Sequence, residues 1–398
     1  MKWEKVRLGD CCEITSSKRI FFSEYVDLGI PFFRSKEIIE LNRGEKISEP
    51  LYISAKKYDE IKSKYGIPQE GDMLLTSVGT IGVPYIVKSS DTFYFKDGNL
   101  TWFRNFNKRL LSHFLFYWIG SDEGYGVLNN STIGSSQKAL TISSLKQITI
   151  SLPPVSIQKN IVNILSNYDA LIENNQKQIK LLEEAAQRLY KEWFVDLHFP
   201  GHEATPIVDG IPEGWNYAVL SEIADVVMGQ SPKSEFYNNK NQGLPFHQGV
   251  GSYGDRFVID NTYSTSYTRI AKKNSILFSV RAPVGRMNIT KNQVVIGRGL
   301  ASIIHKKGLQ SFLFYQLKDM FYKDNLVGNG SIFASISKNE LLQLKLLVPS
   351  FELVKKYNDI ISVIDKRIEN IDNQKNLAQE ARDRLLPKLM NGEIEVKN

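Results

Sequence analysis

The chain has almost no cysteine: among 398 residues only the adjacent Cys11 and Cys12 occur. Two neighbouring thiols build no disulfide framework, and without partners at ligand spacing they make no zinc site, so they read as buried structural groups. Long apolar runs are missing as well. The most apolar stretch, Phe114 to Ile119, is far shorter than the ~20 residues that span a bilayer, and Met1-Lys2-Trp3-Glu4-Lys5 has no apolar signal core. A cytoplasmic protein is expected.

Signatures of nucleotide and metal chemistry are also lacking. No Gly-x-x-x-x-Gly-Lys-Ser/Thr loop occurs; Val78-Gly79-Thr80-Ile81-Gly82 lacks the lysine and reads as a tight loop. Five histidines, at 113, 198, 202, 247 and 305, are scattered, and Pro200-Gly201 keeps His198 and His202 off one helical face. Leu152-Pro153-Pro154-Val155 lacks the polar first and aromatic last residues that an amino-methyltransferase uses to hold a flipped base. Acid clusters such as Asp59-Glu60 beside Lys62 read as solvated surface. No catalytic residue and no metal ligand is assigned, and a non-catalytic role is expected.

What the chain has is a repeat. Pro153 matches Pro349, Asp169 matches Asp365 and Glu173-Asn174 matches Glu369-Asn370, all at a displacement of 196 residues. Gln178/Gln374, Leu181/Leu377, Glu184-Ala185/Glu380-Ala381 and Arg188-Leu189/Arg384-Leu385 keep it without a gap. The preceding segments repeat more loosely: Trp3 answers to Trp215, Leu8-Gly9-Asp10 to Leu220-Ser221-Glu222, and Phe114-Leu115-Phe116-Tyr117 to Phe312-Leu313-Phe314-Tyr315. Gly71 to Gly79 is matched with Lys273 to Arg281. One scaffold with two sets of loop tips suggests two binding modules of one kind that read different things. A hydrophobic content of 42% supports two or more packed domains, and a net charge of +7 attracts polyanions such as nucleic acid.

Residues 1–152 form the first module, of α/β (α+β) character. Strands are expected at Lys46–Ile53, Asp72–Ser77, Val83–Val87, Leu100–Phe103 and Gln147–Leu152, and helices at Ala55–Ile61 and Leu110–Ile119. Residues 153–199 follow as a helical region, with one helix from Ile157 to Trp193 carrying a seam of Ile161, Ile164, Tyr168, Leu171, Leu182, Ala185 and Leu189. Pro200-Gly201 ends it, and 200–214 is a connector. The second module spans 215–348. In the final helical region, 349–398, a helix from Phe351 to Leu386 carries Tyr357, Ile360, Ile364, Ile371, Ala378, Ala381 and Leu385. Gln178 and Gln374 interrupt the two seams. Neither stripe is hidden alone, so the helices are expected to pair as an antiparallel coiled coil; the alternative has each docked on its own module.

Candidate DNA-reading residues are polar and basic groups on loops. In the first module they are Lys18, Arg19, Arg34, Lys36, Thr76, Ser77, Thr80, Asn129, Asn130, Gln137 and Lys138. In the second they are Gln230, Ser231, Lys233, His247, Gln248, Arg256, Arg281, Arg286, Arg298, Asn329 and Ser331. Arginine grips guanine bidentately, asparagine and glutamine grip adenine, and lysine, serine and threonine hold phosphates. Candidates for the helix pair and for subunit docking are Tyr168, Gln178, Leu182, Leu189, Trp193, Phe194, Ile364, Gln374, Leu385 and Leu386.

Several segments resemble the specificity subunit of type I restriction-modification systems. Trp193-Phe194-Val195-Asp196, Arg384-Leu385-Leu386-Pro387-Lys388-Leu389 and Gly392-Glu393-Ile394 are similar to that family's helical regions. Val280-Arg281-Ala282-Pro283-Val284-Gly285-Arg286 and Ile296-Gly297-Arg298-Gly299-Leu300 resemble the core of its target-recognition domains. The resemblance implies two tandem target-recognition domains separated by two long antiparallel helices, each domain reading half of a split double-stranded DNA site. It implies methyltransferase subunits that methylate adenine from S-adenosylmethionine and motor-nuclease subunits that use ATP and Mg, with no cofactor in this chain. One departure is that Gln158, near the start of the first helix, is replaced by Val354 in the second. A helix pair on the order of 50 Å long would act as a ruler between half-sites. Rival classes are a self-sufficient methyltransferase or nuclease and a protein-interaction scaffold.

Overall fold

The computed structural model describes residues 3–44, 46–134, 138–322 and 335–396. Gln137, Asn329 and Ser331 lie outside them. The chain forms two compact units, 1–176 with 373–398 and 177–372. Each comprises one module and half of each long helix.

In the first module a four-stranded antiparallel sheet has the order Glu13–Thr15, Leu100–Arg104, Met73–Thr76, Pro84–Ile86. A second sheet runs Tyr25–Val26, Leu51–Ile53, Ile30–Phe33, Tyr94–Phe95, its last pair parallel. Glu4–Arg7 pairs with Thr149–Leu152 and so ties the module's two ends together at the root of the long helix. The second module repeats this plan. Ala224–Met228, Leu300–His305, Ile276–Ser279 and Met287–Ile289 make the first sheet. Tyr237–Asn238, Tyr263–Ser264, Leu244–His247 and Val294–Ile296 make the second, with Ile270–Ala271 added, and Asn216–Val219 pairs with Lys345–Val348. The central strands are apolar on both faces: Met73, Leu74, Leu75, Ile276, Leu277 and Phe278 are all buried, as expected of strands covered on both sides.

Expected strands are present with shifted ends, except that Lys46–Ile53 shrinks to Leu51–Ile53. Pro50 has no N–H for a ladder, and Ser48 instead bonds the Glu40 carboxylate. Helices Ser35–Asn42 and Asp122–Asn130 were not anticipated. The loop match also needs correction by one residue. Asn274, not Lys273, is equivalent to Gly71: both take positive φ, 65° and 86°. The Thr76 hydroxyl accepts the Val83 N–H at 2.9 Å just as the Ser279 hydroxyl accepts that of Arg286 at 2.8 Å. Bridges Val78–Ala139 and Arg281–Ser335 also coincide. The letters of Ser77-Val78 match Ser279-Val280, but the hydroxyl that closes the loop belongs to Thr76. Arg281 therefore stands where the first module has Val78.

The long helices are Val155–Phe194 and Phe351–Met390. The first stops before Pro200: Leu197 turns left-handed (φ 60°), and His198 N–H bonds back to the Glu192 carbonyl. The second continues through Pro387 to Met390. An interior proline costs about 3 kcal/mol, offset by burial of Leu389 and Met390 in the first unit's core at about 1.5–3 kcal/mol each.

The helices pair antiparallel within each unit. In the first, Arg382 meets Asp169 at 2.7 Å, and Leu385 and Leu389 join the cluster that holds Ile161 and Leu165. In the second, the Tyr357 hydroxyl donates to the Ala186 carbonyl at 3.0 Å, and Ile368 and Ile371 pack with Ile179. The stripe differs from the expected seam. Leu165, Ala186 and Ile361 are buried, whereas Leu171 (44% exposed), Ala185 and Ile360 (42%) face out. Gln374 is exposed and Gln178 half-buried; the polar residues buried along the two helices are Gln158, Asn175, Asn358, Asp372 and Lys375. An alternating three-and-four count fits two neighbouring stripes when both are apolar, and packing against the modules selects one.

Candidate nucleic-acid interface

In the second module, four loops meet at one end of the parallel strand pair. Gln230 N–H bonds the Ile296 carbonyl (2.9 Å), Gly297 N–H the His247 carbonyl (2.8 Å), Gly299 N–H the Gln248 carbonyl (3.2 Å), and Val280 N–H the Gly299 carbonyl (2.9 Å). The Ser231 hydroxyl accepts the Arg298 N–H at 3.3 Å. The crossing leaves no room for side chains: a Cβ at Gly229 would lie 2.1 Å from the Gly297 carbonyl oxygen. The knot presents exposed Gln230, Gln248, Arg281, Arg286 and Arg298, with Lys233 exposed on the loop beyond Ser231.

The first module builds the same junction with other groups. Ser77 N–H bonds the Asn99 carbonyl (2.8 Å) and Lys96 N–H the Phe33 carbonyl (2.8 Å). Lys18 N–H bonds the Tyr94 hydroxyl (2.7 Å), and Arg19 pairs with Asp97 (2.9 Å). Lys36 is held by Glu49 (2.8 Å), and Arg34, only partly exposed, is clamped by buried Glu37. Thr80 is exposed at the loop tip beside the Val78–Ala139 bridge. Asn129 and Asn130 end a helix, and Lys138 donates to the Asn129 side-chain oxygen (3.2 Å).

Four candidates are removed from the DNA-facing set. Thr76 and Ser77 are buried, one closing its loop and the other bonding the Thr101 hydroxyl at 2.7 Å. His247 is fully buried between Ser252 (2.9 Å) and Asp260 (3.0 Å). Arg256, 2% exposed, reaches Asp365 (2.6 Å), Glu183 (3.1 Å) and the Tyr315 hydroxyl (3.3 Å) and lies over the Phe314 ring at 3.8 Å. Burial alone would disfavour its charge, but Tyr315, Asp365 and Glu183 raise its pKa above the ordinary arginine value. A sequence offers no sign that a loop arginine points inward.

The helix candidates sort similarly. Trp193 and Phe194 are buried in the second unit's core with Trp215, Phe312 and Tyr357, so they are unavailable to a docking subunit. Leu189 and Ile364 pack against that core, and Leu385 and Leu386 against the first unit's; Leu182 borders the Ile179 cluster. The Tyr168 side chain is half-buried. Gln158 is spent internally, bonding Leu111 N–H (2.9 Å) and the Arg109 and Pro153 carbonyls (2.7 and 2.8 Å). Missed by the seam reading are the outward apolar residues Leu181 (64% exposed), Val363 (69%) and Leu377 (65%). Cys11 and Cys12 are buried free thiols, with burial pushing Cys12 up to about 12. Among the described residues no helix is long and apolar enough to cross a membrane.

Two copies of one α/β reader, each running into a long helix that pairs with the other, define a duplicated recognition protein. The chain belongs to the type I restriction modification DNA specificity domain family, whose model matches residues 1–184 and 212–379. It is 29% identical over 404 residues to the putative type I restriction enzyme MjaX specificity subunit of Methanocaldococcus jannaschii, covering 99% of this chain and 94% of that protein. The MjaIX specificity subunit of the same organism is 26% identical over 424 residues, again 99% and 94%. The crystal structure of a type I restriction-modification S subunit from M. genitalium shares the fold, with a TM-score of 0.60 at 17% identity over 97% of this chain and 96% of that one.

Proposed function

We propose that this chain reads a split DNA target for a type I restriction-modification complex, one half-site per module, and itself performs no catalysis. The observation that carries the reading is chemical divergence at equivalent loop tips: Val78 and Val83 of one module stand where the other has Arg281 and Arg286. Two arginine-rich or arginine-poor surfaces on one scaffold select different bases. In this reading methyltransferase subunits dock on the helices, with Leu181 and Leu377 as apolar footholds, and methylate adenine from S-adenosylmethionine. Motor-nuclease subunits add ATP- and Mg-dependent cleavage, and the complex works in the cytoplasm. The helix pair sets the unread gap between half-sites. The test is to incubate the chain with duplex DNA and labelled S-adenosylmethionine, with and without its methyltransferase partner. Label incorporation at a discrete split sequence only with the partner is expected; incorporation by the chain alone, or none at any sequence with the partner, contradicts the reading.

A further inference from the structure

The second module is attached to the long helices at two levels. Its root is aromatic: Phe312 lies against Tyr190, Phe194 and Tyr357, and Trp215 against Phe194. The other attachment is a strap, Gly254 to Val258, held to the module's sheet by Ile289 N–H to the Arg256 carbonyl (3.0 Å) and Val258 N–H to the Ile289 carbonyl (3.2 Å). Its Phe257 packs into the cluster of Ile179, Ile368 and Ile371. Its Arg256 bonds Glu183 of the first helix and Asp365 of the second. The Lys291 ammonium lies over the Phe257 ring at 4.7 Å and pairs with Asp372 at 2.6 Å. Tyr190 and Glu183 are seven residues apart, so strap and root are separated by roughly 10 Å along the first helix. One attachment leaves a hinge, whereas two separated ones fix an orientation.

We infer that Arg256 is a positioning residue: through Glu183 and Asp365 it fixes the angle at which the second module presents its DNA-reading loops, and so the half-site gap that the protein accepts. Asp365 is also bonded by the Ser311 hydroxyl (2.6 Å), so its geometry is constrained from both the module's root and its strap. The first unit is built differently. Asp169, 196 residues before Asp365, takes its arginine from the second long helix, Arg382, and a hydroxyl from Tyr117. There the ion pair locks helix to helix rather than loop to helix. The inference rests on the split-target reading above, and its test separates the two.

Once methylated sites have been mapped, the full chain with its methyltransferase partner is offered duplexes in which the gap is one base pair shorter, native or one longer. Wild type is expected to discriminate against the altered gaps by about tenfold or more. Arg256→Met should shrink that ratio to within about threefold while keeping the base preference inside each half-site, and Arg256→Lys should recover part of it. If Arg256→Met does not fold, the double change Arg256→Met, Asp365→Asn removes the carboxylate charge that has lost its cation, while Glu183 keeps Lys318 at 3.7 Å, and is read in the same way. Unchanged gap discrimination means that the tie is merely stabilising and overturns the inference; altered base preference makes Arg256 a reader and also overturns it. Wild type indifferent to the gap removes the split-target reading, and the inference with it.

Discussion

The two modules share sheet order, loop closures and the pairing of their ends, but they neutralise equivalent aspartates with arginines from different places. Asp365 receives Arg256 from a loop of its own module, the arginine side chain 2% and the carboxylate 20% exposed. Asp169 receives Arg382 from the long helix, and that pair remains partly open, with side chains 27% and 34% exposed. The duplicated scaffold preserves the acid and the antiparallel helices, while the cation comes from a different element in each unit. A buried charge left without its partner is costly, and a partly exposed one is not.

Removing each arginine in turn separates the two ion pairs. Arg256→Met should destabilise the second unit by about 1.5–3 kcal/mol, since Asp365 loses a charge-assisted hydrogen bond and Glu183 keeps only Lys318 at 3.7 Å, whereas Arg382→Met should cost about 1 kcal/mol because water reaches Asp169. Urea denaturation of each variant measures both, and equal losses would abolish the distinction. Next in size is the loop divergence. Arg281→Ala or Arg298→Ala should cost about 1–3 kcal/mol on the target but little on random duplex if each arginine reads a base. Equal loss on both DNAs makes it a backbone clamp. Within the second unit, Tyr357→Phe should cost about 1 kcal/mol by removing the buried hydroxyl's hydrogen bond to the Ala186 carbonyl, detectable as a lower thermal midpoint.

A further difference concerns pH. Burial holds His305 down to about 4, with the Lys307 charge a secondary cause. Between about 6.5 and 4 the unfolded chain binds a proton there that the folded chain does not, so the stability it confers is present above that window and is lost as pH falls through it. His305→Asn should therefore flatten the fall in thermal midpoint between pH 7 and 4.5; an identical slope would show that His305 plays no part.

Much of this was legible in the sequence because repetition is visible without a fold. The ungapped displacement of 196 residues placed both long helices, and the matched Pro153 and Pro349 placed their starts. Turn chemistry and apolar runs located the central strands. The rest depended on direction, which letters do not carry. Arg256 has the composition of a surface reader and is buried; Leu171 and Ile360 look like seam residues and face out; Ser77 matches Ser279 by letter while Thr76 matches it by hydrogen bond. Asp169 and Asp365 were visible as repeats, but nothing in their spacing says which arginine each will meet.

Reading of a split target, as proposed, requires the helices to act as a spacer. Deleting seven residues from each, in register, shortens the pair by about 10.5 Å at 1.5 Å per residue, or about three base pairs of a duplex that rises 34–36 Å per turn. Mapping methylated adenines in cells that carry this variant with its methyltransferase partner should show the same two half-sites with the gap reduced by about three base pairs. The same half-sites at the original gap would contradict the account.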